Sequence, residues 1–115
     1  MKIVHYTEVE AQAIAGPEVS GVTKRVLLSA ADGAPNFTMR LFHVAPGGYT
    51  FFHSHDFEHE IFVTEGHGQV VTEDGSRPIE AGYAILVLPG EVHQFKNTGT
   101  NRMSFLCLVP NRAES

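Results

Sequence analysis

The sequence predicts an all-β barrel or sandwich of antiparallel strands, and two observations carry that prediction. No long stretch of the 115 residues repeats its apolar side chains with the roughly 3.6-residue period of an amphipathic helix. Instead, clusters of Gly, Pro, Asn and Asp recur along the chain and divide it into short β-prone runs at the spacing of a sandwich or barrel.

Residues 7–15 come nearest to a helix, a turn or two that Gly16-Pro17 stops. The β-prone runs follow at 22–28, 37–44, 49–53, 60–64, 69–72, 83–88, 92–95 and 103–109. Turn chemistry separates them: Asp32-Gly33-Ala34-Pro35-Asn36, Pro46-Gly47-Gly48, the 66–68 glycines, Asp74-Gly75-Ser76, Gly82, Pro89-Gly90 and the polar stretch 97–101. Asp74-Gly75, between Val70-Val71 and Ile79, is a hairpin signal, because Gly accepts a positive φ. The polar end, 111–115, reads as frayed.

Composition narrows the function classes. The length suits one domain, taken as 1–115. With 43% hydrophobic residues, including eight Phe and three Tyr, the chain can build a core. A net charge of −5 repels phosphate backbones, so nucleic acid is not an expected partner. A single Cys precludes an intrachain disulfide. No apolar run approaches the ~18 residues of a membrane span, and MKIVHYTEVE lacks the pattern of a signal peptide. The expectation is a cytoplasmic protein that meets neither membrane nor nucleic acid. Seven His stand against eight Lys plus Arg, and the chemistry is sought there.

His53 and His55 are two apart, so on a strand they share a face. His59 follows Asp56-Phe57-Glu58, a span that could reverse or bulge the chain, and His93 comes after the Pro89-Gly90-Glu91 turn. Together they could form a cage for Mn, Fe, Co, Ni, Cu or Zn; imidazole alone does not choose among them. Taken alone, the His53/His55 pair is more simply a set of exposed loop histidines. His5, His43 and His67 read as structural or exposed, and Cys107 as a small buried hydrophobe. Tyr49 and Phe51 share parity with His53, and Phe95 with His93, so each is a candidate for a cavity wall or for ordinary core. Arg40 could hold a carboxylate if it faces inward, although alternating strands more often turn such an Arg outward.

The fuller pattern resembles the two motifs of the cupin superfamily. Gly47, five residues, His53, Ser54, His55, then His59, six residues and Gly66 reproduce the first, over 47–66. Gly82 through Gly90, two residues, His93, three residues and Asn97 reproduce the second, over 82–97. One spacing departs: Pro89 stands a place later than the motif's proline, with Leu88 in that slot. The 15-residue gap between Gly66 and Gly82 is that of compact microbial cupins. HSHDFEHEIF, PNFTMRLF and FLCLVP are most similar to a small group of single-domain manganese cupins with four histidine ligands.

The resemblance implies a jelly-roll barrel (double-stranded β-helix) holding one divalent metal, manganese first and then iron, zinc or nickel. The implied ligands are His53, His55, His59 and His93. Where the family usually has Glu, this sequence has His59, and Glu60 next to it is the alternative ligand or a residue supporting one. A homodimer is also implied. The resemblance assigns neither a catalytic residue nor a reaction. The superfamily includes isomerases, dioxygenases, oxalate-degrading enzymes and enzymes of unsaturated uronates. Four neutral imidazoles leave a divalent ion its full charge. That favours Lewis-acid chemistry of the isomerase, lyase or decarboxylase type on a small carboxylate or sugar-like molecule. The alternatives are a metal-dependent dioxygenase or oxidase, or a non-catalytic ligand-binding cupin.

Overall fold

Turn residues set where the strands begin and end, and the apolar runs between them pair into one sheet. A computed structural model describes residues 1–114. Its strands are β1 (Gln12–Ala13), β2 (Ser20–Leu28), β3 (Phe37–Tyr49), β4 (His59–Glu65), β5 (His67–Thr72), β6 (Gly75–Glu80), β7 (Ala84–Val87), β8 (Gln94–Lys96) and β9 (Met103–Pro110). These nine strands form one curled antiparallel sheet in the order β6-β5-β8-β3-β9-β4-β7, with β2 also on β3 and β1 on β2. This is the jelly-roll half-barrel expected from the sequence.

The departures from expectation have local causes. Pro46-Gly47-Gly48 does not end a strand. The β2–β3 pairing jumps from Val22↔Val44 to Ser20↔Tyr49, so these residues bulge out while β3 continues. No separate strand spans 49–53: the chain leaves the sheet after Tyr49 and touches it again through one bridge, His53↔His93. β6 escapes a pattern search because Arg77 and Pro78 interrupt it. Among the described residues it pairs only with β5, and an edge tolerates a proline. Instead of a longer helix, the 7–15 region has a 3-10 turn at Tyr6–Glu8, capped by the His5 side chain, and then β1. At the expected frayed end, Asn111–Ala113 form a 3-10 turn, held where Thr38 Oγ1 donates to Asn111 Oδ1 at 2.8 Å. Ser115 lies outside the described residues.

Strand register sorts the inner face into rows. Val44 lies opposite Met103, Phe42 opposite Phe105 with Val63 beyond, and Arg40 opposite Cys107 with Ile61 beyond. The first row is sealed, with Val44 and Met103 fully inaccessible. Polarity enters at Arg40 and Cys107, and β4 then reaches His59. The sheet is therefore apolar at one end and chemically equipped at the other. Gly66, with φ +78°, joins β4 to β5. A Cβ there would come within 2.5 Å of the Arg102 carbonyl, so a side chain would push β5 away from the start of β9.

Asn97, 2% exposed, ties the second motif to the first. Its Nδ2 donates to the Val44 and Asn101 carbonyls at 2.8 Å each, and its Oδ1 accepts from Gly99 N–H at 2.9 Å. Its backbone exchanges hydrogen bonds with Gly47 and Gly48. Asn97→Ala strands these buried partners and is expected to cost about 2–4 kcal/mol. A urea titration should show the midpoint falling with an unchanged slope; an unchanged midpoint would count against this anchor.

Candidate metal centre

From 51 to 59 the side chains alternate inward and outward although most of the segment lies outside regular strands. Phe51, His53, His55, Phe57 and His59 are half-buried or buried, and Phe52, Ser54, Asp56 and Glu58 are exposed. Asp56-Phe57-Glu58 does not reverse the chain. Two clamps hold it extended: His53 and His93 exchange backbone hydrogen bonds of 3.2 and 2.9 Å, and Gly90 N–H donates to the His55 carbonyl at 2.6 Å. Asp56 instead pairs with Arg112 at 3.0 Å on the surface.

The histidines converge. Ring nitrogens of His53, His55 and His93 lie within 4.8 Å of one another. Imidazoles bound about 2.1 Å from a shared ion are at most about 4.2 Å apart, so this spacing is close to that of a common ligand set. His59, the fourth expected ligand, lies outside this set of three; its ring packs against two of them, with centroids 4.9 Å from His55 and 5.1 Å from His93.

Second contacts orient the rings. His93 Nδ1 lies 2.9 Å from the Glu91 carbonyl. A carbonyl only accepts, so Nδ1 carries the proton and the Nε2 lone pair is left for the cavity. His59 Nδ1 lies 3.1 Å from Cys107 Sγ, which accepts from Arg40 Nη2 at 3.0 Å. In the tautomer whose Nδ1–H donates to sulfur, His59 also presents a bare Nε2. That nitrogen is buried with no hydrogen-bond partner. An orphaned polar atom of this kind costs about 1–3 kcal/mol unless something in the cavity engages it. A metal ion fits that need.

Electrostatics favour the neutral form of His53, His55 and His59. Burial, then the neighbouring His55 and His93, lowers the His53 pKa to about 4. Burial, then His93 and Arg40, lowers that of His59 to about 3, and burial likewise lowers His55. Neutral imidazoles have the lone pairs a cation requires. No Asp or Glu lines the cavity among the described residues, and its volume is about 210 Å³.

The other sequence-based candidates divide. Phe51, Phe95 and Arg40 line the cavity, and Phe51 stacks on His53 at 5.6 Å. Tyr49 does not line it; strand parity is lost where β3 ends, and Thr50 turns in to accept from Phe95 N–H at 2.9 Å. Glu60 is exposed on the outer face of β4, because alternation turns it away from its neighbour His59. It lies in a surface groove with Leu108. Sequence reasoning missed Phe57, whose ring stacks on His55 at 4.7 Å, and the link through Cys107. Unbroken parity from His53 to His59 signals the first. For the second, Cys107 shares parity with Phe105 on β9.

Comparison with known proteins adds relatives. Residues 40–109 match the profile of the Cupin domain family, Cupin_2. The 1-methylthio-D-xylulose 5-phosphate methylsulfurylase of Rhodospirillum rubrum is 30% identical over 89 residues, 76% of this chain. The chain spans about half the length of that curated relative, 55%. The solved polyketide cyclase RemF from Streptomyces resistomycificus superposes with a TM-score of 0.90 at 37% identity, over 96% of this chain and 79% of its own. A predicted oxalate decarboxylase from Thermotoga maritima gives 0.84 at 26% identity, over 96% and 99%.

The histidine environment sets a pH response. In metal-free protein, His53, His55 and His59 titrate below the 6.5 of a free imidazole. Below that pH the unfolded chain binds more protons than the folded one, so stability falls as pH drops from about 6.5 towards 4. Thermal melts in chelator should show this decline, and it should be shallower in His59→Gln. A melting temperature that stays level over the window would contradict neutral burial of these rings.

Proposed function

The chain belongs to the Cupin domain family, and from that premise we propose that it is a metal-dependent enzyme using Lewis-acid chemistry on a small, carbonyl-bearing and largely apolar molecule. The observation that carries the reading is the cavity wall. Phe42, Phe51, Phe57, Phe95 and Phe105 surround the histidines, with no carboxylate among the described lining residues. These ring faces offer a sugar's hydroxyls few partners, whereas a planar carbonyl compound suits them. The 37% identity to a polyketide cyclase supports the same direction.

In this proposal His53, His55, His59 and His93 hold one divalent ion, manganese first and iron, zinc or nickel next. A divalent ion held there would supply Lewis acidity, polarising a carbonyl oxygen and acidifying the adjacent carbon. The protein's own residues supply the rest. The phenylalanines exclude water and orient a flat substrate. Glu91 and Cys107 fix the His93 and His59 rings through their Nδ1 atoms. Isomerisation, decarboxylation and ring closure through an enol share these requirements, which is why the reaction class is proposed as Lewis-acid rather than redox.

Elemental analysis of protein purified without chelator tests the site. Wild type should carry about one equivalent of metal, His59→Ala clearly less, and Glu60→Gln as much as wild type. A folded wild type that takes up none of Mn, Fe, Zn or Ni would overturn the proposal, and loss in Glu60→Gln but not His59→Ala would overturn the ligand set.

The proposal includes a homodimer. Among the described residues β7 pairs only with β4, and Phe62, Leu86 and Leu88 stand about half exposed on or beside these strands. An open edge beside exposed apolar side chains favours self-pairing. Light scattering should give a dimer that Leu86→Glu shifts towards monomer; a monomeric wild type would refute it.

A further inference from the structure

The cavity has a second pole, made of cations. Lys24 on β2 and Arg40 on β3 both line it. Arg40 is 8% exposed, its Nη2 donates to Cys107 Sγ, and its Nε is buried with no hydrogen-bond partner. One carboxylate bridges the two cations: Glu114 Oε2 lies 2.8 Å from Lys24 Nζ and Oε1 lies 3.3 Å from Arg40 Nη1. The 3-10 turn Asn111–Ala113 brings Glu114 there, and Ala113 itself lines the cavity.

We propose that Lys24 and Arg40 form an anion subsite for a substrate carboxylate or acidic enol oxygen, and that Glu114, which pairs with both cations from outside the cavity lining, competes for them in the free protein. Two cations against one carboxylate leave this cluster a net positive charge, and the unpartnered Arg40 Nε is a donor that Glu114 does not use. Buried charge-assisted hydrogen bonds to a guanidinium are among the stronger polar contacts a pocket can offer an anion. The two poles are close: 3.0 Å from Arg40 to Cys107 and 3.1 Å from Cys107 to His59. A ligand with an anionic group at one end and a carbonyl at the other could reach both, with its apolar body on the phenylalanines. Entry of that ligand displaces the Glu114 carboxylate from the two cations. The inference rests on the preceding reading in taking this cavity as the substrate site; it does not depend on the metal.

The test uses the full chain in metal-free form, so that the probe meets no ion. Benzoate is titrated calorimetrically, with benzamide as the uncharged probe of similar shape. Glu114→Gln, which conserves size, should tighten benzoate by about fivefold, the factor expected if the carboxylate holds the two cations about four-fifths of the time. Benzamide should gain nothing, and adding Lys24→Met should abolish the gain. Arg40→Gln should do the same where it folds, and the Lys24 variant decides the matter where it does not. The proposal is overturned if Glu114→Gln leaves benzoate affinity unchanged or weaker, if benzamide gains equally, or if the gain survives Lys24→Met. The charge-dependent pattern in a protein that takes up no metal would sustain the subsite and defeat the metal reading. Metal uptake without the pattern would do the reverse.

Discussion

The backbone bridge between His53 and His93 is the constraint on which the site depends. The two residues exchange both of their main-chain hydrogen bonds, and residues so paired present their side chains on the same face. One short ladder therefore sends two imidazoles inward together and joins the two sequence motifs. It also holds extended a segment that belongs to no long strand. From there, the period of two places His55, Phe57 and His59 on the inner side without further instruction. Asn97 performs the matching task at the sealed end, where its side chain binds the Val44 carbonyl and its backbone meets the bulge at Gly47 and Gly48.

Burial and charge then act in one direction. Each imidazole in the cluster is surrounded by rings and by other imidazoles, and Arg40 adds a cation felt by His55 and His59. Protonating His53, His55 or His59 places a charge in a poorly solvated space beside potential charges of the same sign. These three favour the neutral form, and ring nitrogens of His53, His55 and His93 converge. Such an arrangement rejects protons and suits a cation that several nitrogens can share.

Much of this was legible in the sequence because it rests on local rules. Turn residues placed β2 to β5 and β7 to β9, and the spacing of His53, His55 and His93 anticipated their convergence. What could not be read depends on contacts between distant segments. Whether Arg40 faced in or out turned on the β3–β9 register, which puts it opposite Cys107. Tyr49 was misplaced because parity fails where a strand ends, and the bulge at 46–48 looked like a turn because bulges and turns use the same residues. Glu60 shows the opposite case. Its proximity to His59 suggested a ligand, yet adjacency on a strand is what sends two side chains to opposite faces. Glu114 gave no local signal at all, since its partners Lys24 and Arg40 lie 90 and 74 residues away.

Burial alone does not mark a functional histidine, and His43 shows why. It is 6% exposed, as buried as His59 at 7%. Both of its nitrogens are engaged, however: Nδ1 lies 2.7 Å from Ser104 Oγ, and Nε2 accepts from Arg25 Nε at 3.2 Å. Ser104 continues to Glu65, which Arg102 holds at 2.7 Å, so every member of that network is satisfied within the protein. His59 has one nitrogen engaged by Cys107 and the other buried and bare. A fold that satisfies nearly all its buried polar groups has left this one open, on a ring that packs against those of His55 and His93. The same holds for Arg40 at the cavity's other pole, where Nε is buried and unpaired while its neighbours on the guanidinium are held. The two unpartnered buried side-chain atoms among the described residues thus both belong to residues lining one cavity. Their coincidence there sets this cavity apart from the rest of the core, whose buried side-chain polar atoms are partnered among the described residues.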